Sequence, residues 1–125
     1  MDDCKPVQTP MATTASSSSG GALMTDPTPY WSIVGALYYA TLMRPDIAFY
    51  VNCACQHMHE PTEEHWALVK RILHYMKHTR FHGLLLERSP NVTLQAFSDA
   101  DWVGSSLDRH STGDFAIFLG PNLIS

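Results

Sequence analysis

The strongest local signal in this sequence is the start of an amphipathic helix at Thr62. Threonine is a favoured N-cap residue, and Glu63 and Glu64 put negative charge beside the positive end of the helix dipole. Lys77 and His78 are positioned to favour the opposite end. The apolar side chains between them recur at helical spacing and predict one buried stripe: Trp66, Val69, Ile72, Leu73 and Met76. The rest of the chain must therefore supply apolar surfaces to cover this stripe.

Two shorter helices are predicted before it. The first spans about Tyr30 to Leu42 and ends before Pro45, because a proline pushes the preceding Arg44 out of the α region. The second starts near Pro45 and Asp46, where proline suits the first helical position, and runs to about Met58. Its predicted buried face consists of Ile47, Val51, Ala54 and Met58.

The ends of the chain have a different character. Residues 1 to about 29 are rich in Thr, Ser, Gly and Pro and have little apolar surface, which predicts a flexible linker or strap. After Gly83, a turn at Ser89-Pro90-Asn91 leads into a strand from Val92 to Phe97. A polar loop from Ser98 to Arg109 and a second strand, Phe115 to Leu119, complete the pattern of an antiparallel pair.

The predicted fold class is α+β: a small helical unit of about three helices followed by an incomplete mixed sheet. A sheet of two or three strands with one face uncovered is only marginally stable. The chain of 125 residues is therefore expected to stop inside a domain.

Composition points to an intracellular protein without a membrane partner. The N-terminus is acidic and lacks an apolar signal region, and no run of about 18 apolar residues could span a bilayer. The three cysteines are best interpreted as reduced thiols.

Positive charge is concentrated locally although the net charge is -4. Residues 65 to 88 contain one acidic side chain, Glu87, and five basic ones: Lys70, Arg71, Lys77, Arg80 and Arg88. Such a face could contact nucleic-acid phosphates, or it could simply be the solvated side of a helix. Both interpretations remain open at this point.

A short cysteine and histidine motif suggests zinc. Cys53, Cys55, His57 and His59 alternate along the second predicted helix. Helical residues two apart point about 200° apart, so four ligands would converge only if the segment unwound. A helical cysteine is more often a small buried hydrophobe, and the zinc hypothesis is not preferred.

Longer motifs in a fixed order resemble a known family. They are Asp3-Cys4-Lys5-Pro6-Val7, Tyr30-x-Ser32-Ile33-Val34-Gly35-Ala36-Leu37, Arg44-Pro45-Asp46-Ile47-Ala48, His65-Trp66, Lys70-Arg71-Ile72-Leu73 and Phe97-Ser98-Asp99-Ala100-Asp101-Trp102. Together these strings are similar to copia-type retrotransposon Pol polyproteins over nearly the whole chain. The resemblance implies the C-terminal end of a reverse transcriptase followed by the start of a ribonuclease H domain.

The sequence also departs from the family pattern. Trp31 stands where the family usually has Arg, and Tyr38 where it has Gln. Ala40 replaces Leu, His110 replaces Arg, and Asp114 replaces a Gly. An aspartate would resist any backbone conformation that only glycine tolerates.

The resemblance also defines which chemistry is expected. The family's polymerase uses a Tyr-x-Asp-Asp turn to hold two metal ions, and this sequence has none. For ribonuclease H, Asp99 corresponds to the first metal-binding carboxylate and is a vestigial catalytic and metal position. The intact family uses Mg²⁺, whereas this chain alone is expected to bind no cofactor. Asp101 and Asp108 are expected to be loop acids.

These expectations divide the chain into three parts. Residues 1–29 would be a flexible linker, 30–80 the helical end of a reverse transcriptase, and 81–125 an incomplete ribonuclease H-like segment. The ancestral role would be RNA-directed DNA synthesis and removal of hybrid RNA. Template-primer or RNA–DNA hybrid would be the partner, contacted through Lys70, Arg71, Lys77 and Arg80, and missing parts of the polyprotein could be a second partner.

Two other function classes were considered. One is a non-enzymatic module that binds nucleic acid or an intact polyprotein. The other is a secreted effector, since Arg71-Ile72-Leu73-His74 nearly matches an Arg-x-Leu-Arg signal. That near match falls inside a predicted helix with no secretion signal before it.

Overall fold

The computed structural model describes residues 7–10, 21–101 and 112–125. The chain divides into two compact units after Gly83: a helical unit, Met1–Gly83, and a sheet unit, Leu84–Ser125. In the described residues, no helix is both long and apolar enough to cross a membrane.

The helical unit contains the three predicted helices. They are α1, Thr28–Ala40; α2, Ala48–Cys55; and α3, Glu63–His78, with a 3-10 turn at Pro45–Ile47 before α2. The second helix is shorter than predicted at both ends. It begins as the 3-10 turn, and after Cys55 the chain tightens into three-residue turns, where Met58 donates to the carbonyl of Cys55.

One core joins the three helices. Its eight buried residues are Tyr30, Val34, Leu37, Ile47, Val51, Ala54, Val69 and Ile72. The predicted stripe of α3 faces this core, and Trp66 packs against it with its ring centroid 6.4 Å from that of Tyr30. Tyr30 is fully buried, and its hydroxyl is satisfied by the carbonyl of Ala54 at 2.7 Å.

The start of α3 is a capping box built with a histidine. The hydroxyl of Thr62 accepts from the His65 backbone N–H, and the Thr62 N–H donates to His65 Nδ1 at 3.1 Å. The predicted N-cap is thus confirmed. His65 takes the place that Glu or Gln usually has in this motif.

Two described stretches of the N-terminal segment contact α3 and the chain just before it. Leu23 forms an antiparallel bridge with Thr62, and the Met24 N–H donates to the Pro61 carbonyl at 3.0 Å. Further upstream, Thr9 contacts Arg71 on the helix itself. These stretches therefore act as a strap along the helical unit.

The sheet unit is a three-stranded antiparallel sheet in the described residues. Its strands are β1, Leu94–Asp101; β2, Thr112–Leu119; and β3, Asn122–Leu123, in the order β1-β2-β3. The predicted antiparallel pair is confirmed, and β3 was not predicted. Over the described strands the sheet is antiparallel rather than mixed as expected, because a turn at Gly120 and Pro121 joins β2 to β3 and a short turn produces only an antiparallel pair.

β1 is also shifted relative to the prediction. It includes Ser98 to Asp101, which the sequence had indicated as the start of a polar loop. The reason is tertiary: each of these residues has a partner in β2, from Ser98 with Phe115 to Asp101 with Thr112. The remainder of the predicted loop lies outside the described residues.

Candidate nucleic-acid interface

Lys70 and Lys77 lie on the same exposed side of α3. They are seven residues apart, which is nearly two helical turns and places them roughly 10 Å apart along the axis. Both side chains are exposed, and half-buried His74 lies between them. Glu63 continues the same row at the acidic N-terminal end of the helix. The row therefore becomes positive only over the C-terminal half of α3.

Arg71 is directed elsewhere. It lies about 100° around the helix from Lys70 and is half-buried. Its guanidinium donates to the Thr9 carbonyl at 3.2 Å and to the Thr9 hydroxyl at 2.9 Å. Two of its donors thus already have protein acceptors, an arrangement that sequence spacing could not reveal because 62 residues separate the partners.

Arg80 follows the end of α3 and is exposed. Its guanidinium carbon lies 4.7 Å from the centroid of the neighbouring Phe81 ring, a cation–π contact at the surface. The structure therefore aligns two of the four predicted phosphate-binding residues, Lys70 and Lys77. It ties Arg71 to the strap and places Arg80 beyond the helix.

A buried arginine cluster was missed by the sequence analysis. Arg44 is only 7% exposed, and its guanidinium pairs with the Asp46 carboxylate through two bonds of 2.9 and 2.7 Å. It also donates to the carbonyl and hydroxyl of Thr79, just after α3. Tyr75 donates its hydroxyl to Asp46 at 3.0 Å. This cluster joins the turn before α2 to the end of α3.

The electrostatics of the cluster follow from these bonds. The Arg44 guanidinium, against the opposing cost of burial, holds the pKa of the Asp46 carboxyl below its usual value. Burial and the nearby Asp46 raise the pKa of Tyr75. Both ions of the pair are therefore charged at neutral pH. Pro45 predicted a break between the first two helices here. Thr79 is 35 residues away from Arg44, and nothing in the sequence predicted that the two residues are in contact.

Asp99, the expected ribonuclease H carboxylate, lies inside β1. It is directly opposite Asp114 of β2, and both residues are exposed. Asp114 occupies an ordinary paired position in β2, so the glycine usual in the family is not needed there for conformational reasons. Asp101 belongs to β1 as well and was wrongly assigned to a loop. Asp108 lies outside the described residues.

The acidic pair does not by itself fit a two-metal centre. No group of three or more His, Cys, Asp or Glu side chains is placed to hold a metal ion in the part of the chain that the structure describes. One carboxylate from each strand leaves too few oxygen ligands for two Mg²⁺ ions. No catalytic step is therefore assigned to Asp99.

The cysteine and histidine motif is helical only in part, because α2 ends at Cys55 and His57 and His59 lie in the turns that follow. Cys53 and Cys55 are half-buried, and burial raises the pKa of the Cys55 thiol. His57 instead stacks on His65, with ring centroids 3.7 Å apart and planes 10° from parallel. Burial and the neighbouring His57 lower the pKa of His65.

The near match to an effector signal is part of α3. Arg71-Ile72-Leu73-His74 is helical, and Ile72 is fully buried in the core. A receptor could not read this stretch as an extended peptide without unfolding the helix.

Comparison with known proteins places the chain among transposon sequences. It is 50% identical over its whole length to an uncharacterized mitochondrial protein, AtMg00810, of Arabidopsis thaliana, and covers 52% of that protein. It is 46% identical over its whole length to the retrovirus-related Pol polyprotein from transposon RE1 of the same plant, and covers 9% of it. Over 78% of its length it is 37% identical to the secreted RxLR effector protein 161 of Plasmopara viticola, and covers 69% of that protein.

The sequence comparisons, and not a catalytic centre, indicate the class of protein to which this α+β chain is related. The chain is homologous to retrovirus-related Pol polyproteins of transposons. It spans about half of the mitochondrial relative and less than a tenth of the RE1 polyprotein. No family model and no solved structure matches it.

Proposed function

We propose that this chain is a segment of a reverse transcriptase–ribonuclease H polyprotein of the copia type. The helical unit would correspond to the end of the reverse transcriptase, and the sheet unit to the opening of the ribonuclease H domain. Similarity to a Pol polyprotein over the whole chain supports this assignment, as does the order of the sequence motifs.

The proposed contribution of the helical unit is contact with the backbone of an RNA–DNA hybrid or template-primer. The observation that carries this proposal is that Lys70 and Lys77 lie on one exposed side of α3. The opposite side of α3 packs into the core that the three helices share, so the helix is held in place. Two cations on a rigid helix can neutralise phosphates of one strand without any need to read the bases. Arg80, exposed after the helix, would extend this surface, whereas Arg71 would have to leave Thr9 first.

We propose that the chain binds the RNA–DNA hybrid without extending or cleaving either strand. It has no Tyr-x-Asp-Asp turn for polymerisation. Asp99 pairs across the sheet with a single further carboxylate, Asp114. With Mg²⁺ present, the purified chain should leave an RNA–DNA hybrid intact. Metal-dependent cleavage that persists through purification would contradict this part of the proposal.

Binding can be tested with a fluorescently labelled RNA–DNA hybrid and the full chain. We expect Lys70→Ala and Lys77→Ala each to weaken binding and to lower the slope of log affinity against log salt by about one. Arg88→Ala is the matched control, since it removes one exposed cation from the sheet unit. Binding without salt dependence, or an equal loss with Arg88→Ala, would overturn the proposed interface.

A further inference from the structure

α1 has a second apolar face that no described residue of the helical unit covers. Trp31, Gly35 and Tyr38 follow each other at spacings of four and three residues, and Leu42 continues the row in the turn after the helix. Trp31, Tyr38 and Leu42 are 44%, 60% and 66% exposed, and neighbouring Tyr39 is 76% exposed. These five residues are named here the outer face of α1. A helix with apolar residues on both faces is normally buried on both.

One aromatic side chain of the outer face is held in place by a hydrogen bond. Trp31 donates its indole N–H to the Met58 carbonyl at 2.7 Å, which fixes the ring against the end of the α2 segment. Between Trp31 and Tyr38, Gly35 carries no side chain, and a Cβ atom added there would have open space around it. A fixed aromatic side chain on an exposed surface is typical of the anchors at the centres of protein interfaces.

Two of the departures from the family pattern fall on this same face. The resemblance expects Arg at the position of Trp31 and Gln at that of Tyr38, and this chain has an aromatic residue at both. Polar residues would suit a solvated helix face, whereas aromatic residues seven positions apart make it apolar. The chain thus carries an apolar surface where the resemblance implies polar residues.

We propose that the outer face of α1 binds a second copy of this chain, with the two α1 helices packed antiparallel about a two-fold axis. In this arrangement Tyr38 of each copy lies beside Gly35 of the other, as an isologous interface requires. No charged residue occurs in Thr28–Ala40. Two copies therefore meet without repulsion between like charges, and a strongly charged partner would find no opposite charge on the helix.

The available area suits a reversible dimer. The exposed parts of the four large side chains, at up to about 200 Å² each when fully exposed, offer roughly 500 Å² per copy. A standard interface buries about 800 Å² per partner, so the contact lies among the small, weak interfaces. Because the estimated area is smaller than that of a standard interface, the chain is expected to exchange between monomer and dimer as its concentration changes.

Sedimentation equilibrium of the full chain over a hundredfold range of concentration tests this proposal. The wild-type chain should shift from monomer to dimer, and Tyr38→Gln should raise the dissociation constant at least tenfold. Phe49→Gln is the matched control, because Phe49 on α2 is exposed to nearly the same extent, 57%, but lies off the outer face. It should leave the dissociation constant unchanged within about twofold.

Gly35→Gln separates association from folding. The added side chain takes the space that Tyr38 of the second copy occupies in the proposed dimer. In the monomer it has open space around it and a higher helix propensity than glycine. Dimerisation should be lost while the melting temperature of the dilute monomer does not fall. A monomer at every concentration, or a dimer that tolerates both Tyr38→Gln and Gly35→Gln, would overturn the proposal.

Discussion

The guanidinium of Arg44 donates to both the carbonyl and the hydroxyl of Thr79, at 3.1 and 2.7 Å, across 35 residues of sequence. Through these bonds a cation lies at the C-terminal end of α3, where the helix dipole favours positive charge. The same guanidinium pairs with Asp46 at the turn before α2. One buried side chain thus fixes the start of α2 relative to the end of α3.

Arg44→Lys should destabilise the helical unit by about 1–3 kcal/mol, since an ammonium cannot reproduce the planar fork and leaves buried acceptors of Thr79 unsatisfied. Urea unfolding followed by circular dichroism at 222 nm measures the change. Arg80→Lys makes the same replacement at an exposed site and should alter the midpoint little. Equal midpoints for the two variants would show that the Arg44 bonds contribute nothing measurable.

Acid should weaken the capping box of α3. Folded His65 binds a proton less readily than unfolded His65, whose pKa is near 6.5, because burial and His57 lower its pKa. The unfolded state therefore binds more protons below that pH. Stability is full above about pH 6.5 and decreases as the pH falls towards the lowered pKa of the folded state.

His65→Gln tests this pH dependence. Glutamine can accept the Thr62 N–H in an ordinary capping box but does not titrate. We expect stability at pH 7.5 to change little and the loss of stability between pH 6.5 and 5 to become smaller. His59→Gln, which removes an exposed imidazole, should retain the wild-type loss. Thermal melts at a series of pH values give both curves.

Asp99 and Asp114 form a like-charge pair across the sheet. Asp114→Asn should stabilise the sheet unit by a few tenths of a kcal/mol at low salt, and the gain should shrink as salt screens the pair. Asp99→Asn should give a similar gain. The double variant should gain no more than either single one, because one substitution already removes the repulsion. Additive gains, measured by hydrogen exchange of β1 and β2, would contradict a direct interaction.

Gly120 is required by the turn between β2 and β3. Its φ is +57°, and an added Cβ would clash with the Asn91 carbonyl oxygen. Gly120→Ala should cost about 1–2 kcal/mol from the backbone conformation alone, and more if Asn91 must move. The Ile117 amide, which donates to the Ser125 carbonyl at 2.7 Å, should then exchange faster with solvent.

Gly83→Ala is the control for this experiment. A Cβ added at Gly83 meets no atom within 4 Å, and its φ is not in the left-handed region. Exchange at Ile117 should therefore match that of the wild-type chain.

The helical elements could be predicted from the sequence because they depend on interactions between residues that are close together in the chain. Thr62 and its acidic neighbours predicted where α3 begins, and the apolar spacing predicted the face that it buries. The antiparallel pair of β1 and β2 was predicted from two apolar runs and the residues between them. These features depend on neighbours within a few residues, and a single sequence contains that information.

Tertiary structure alone decided the rest. Arg71 binds Thr9 rather than projecting beside Lys70, Asp99 faces Asp114, and Arg44 reaches Thr79. In each case the two partners are distant in sequence, and their meeting depends on strand register or on how helices pack. Periodicity determines which face of an element is buried, but only the packed chain determines which polar groups meet, because each buried donor must find its acceptor from whatever segment the fold brings near it.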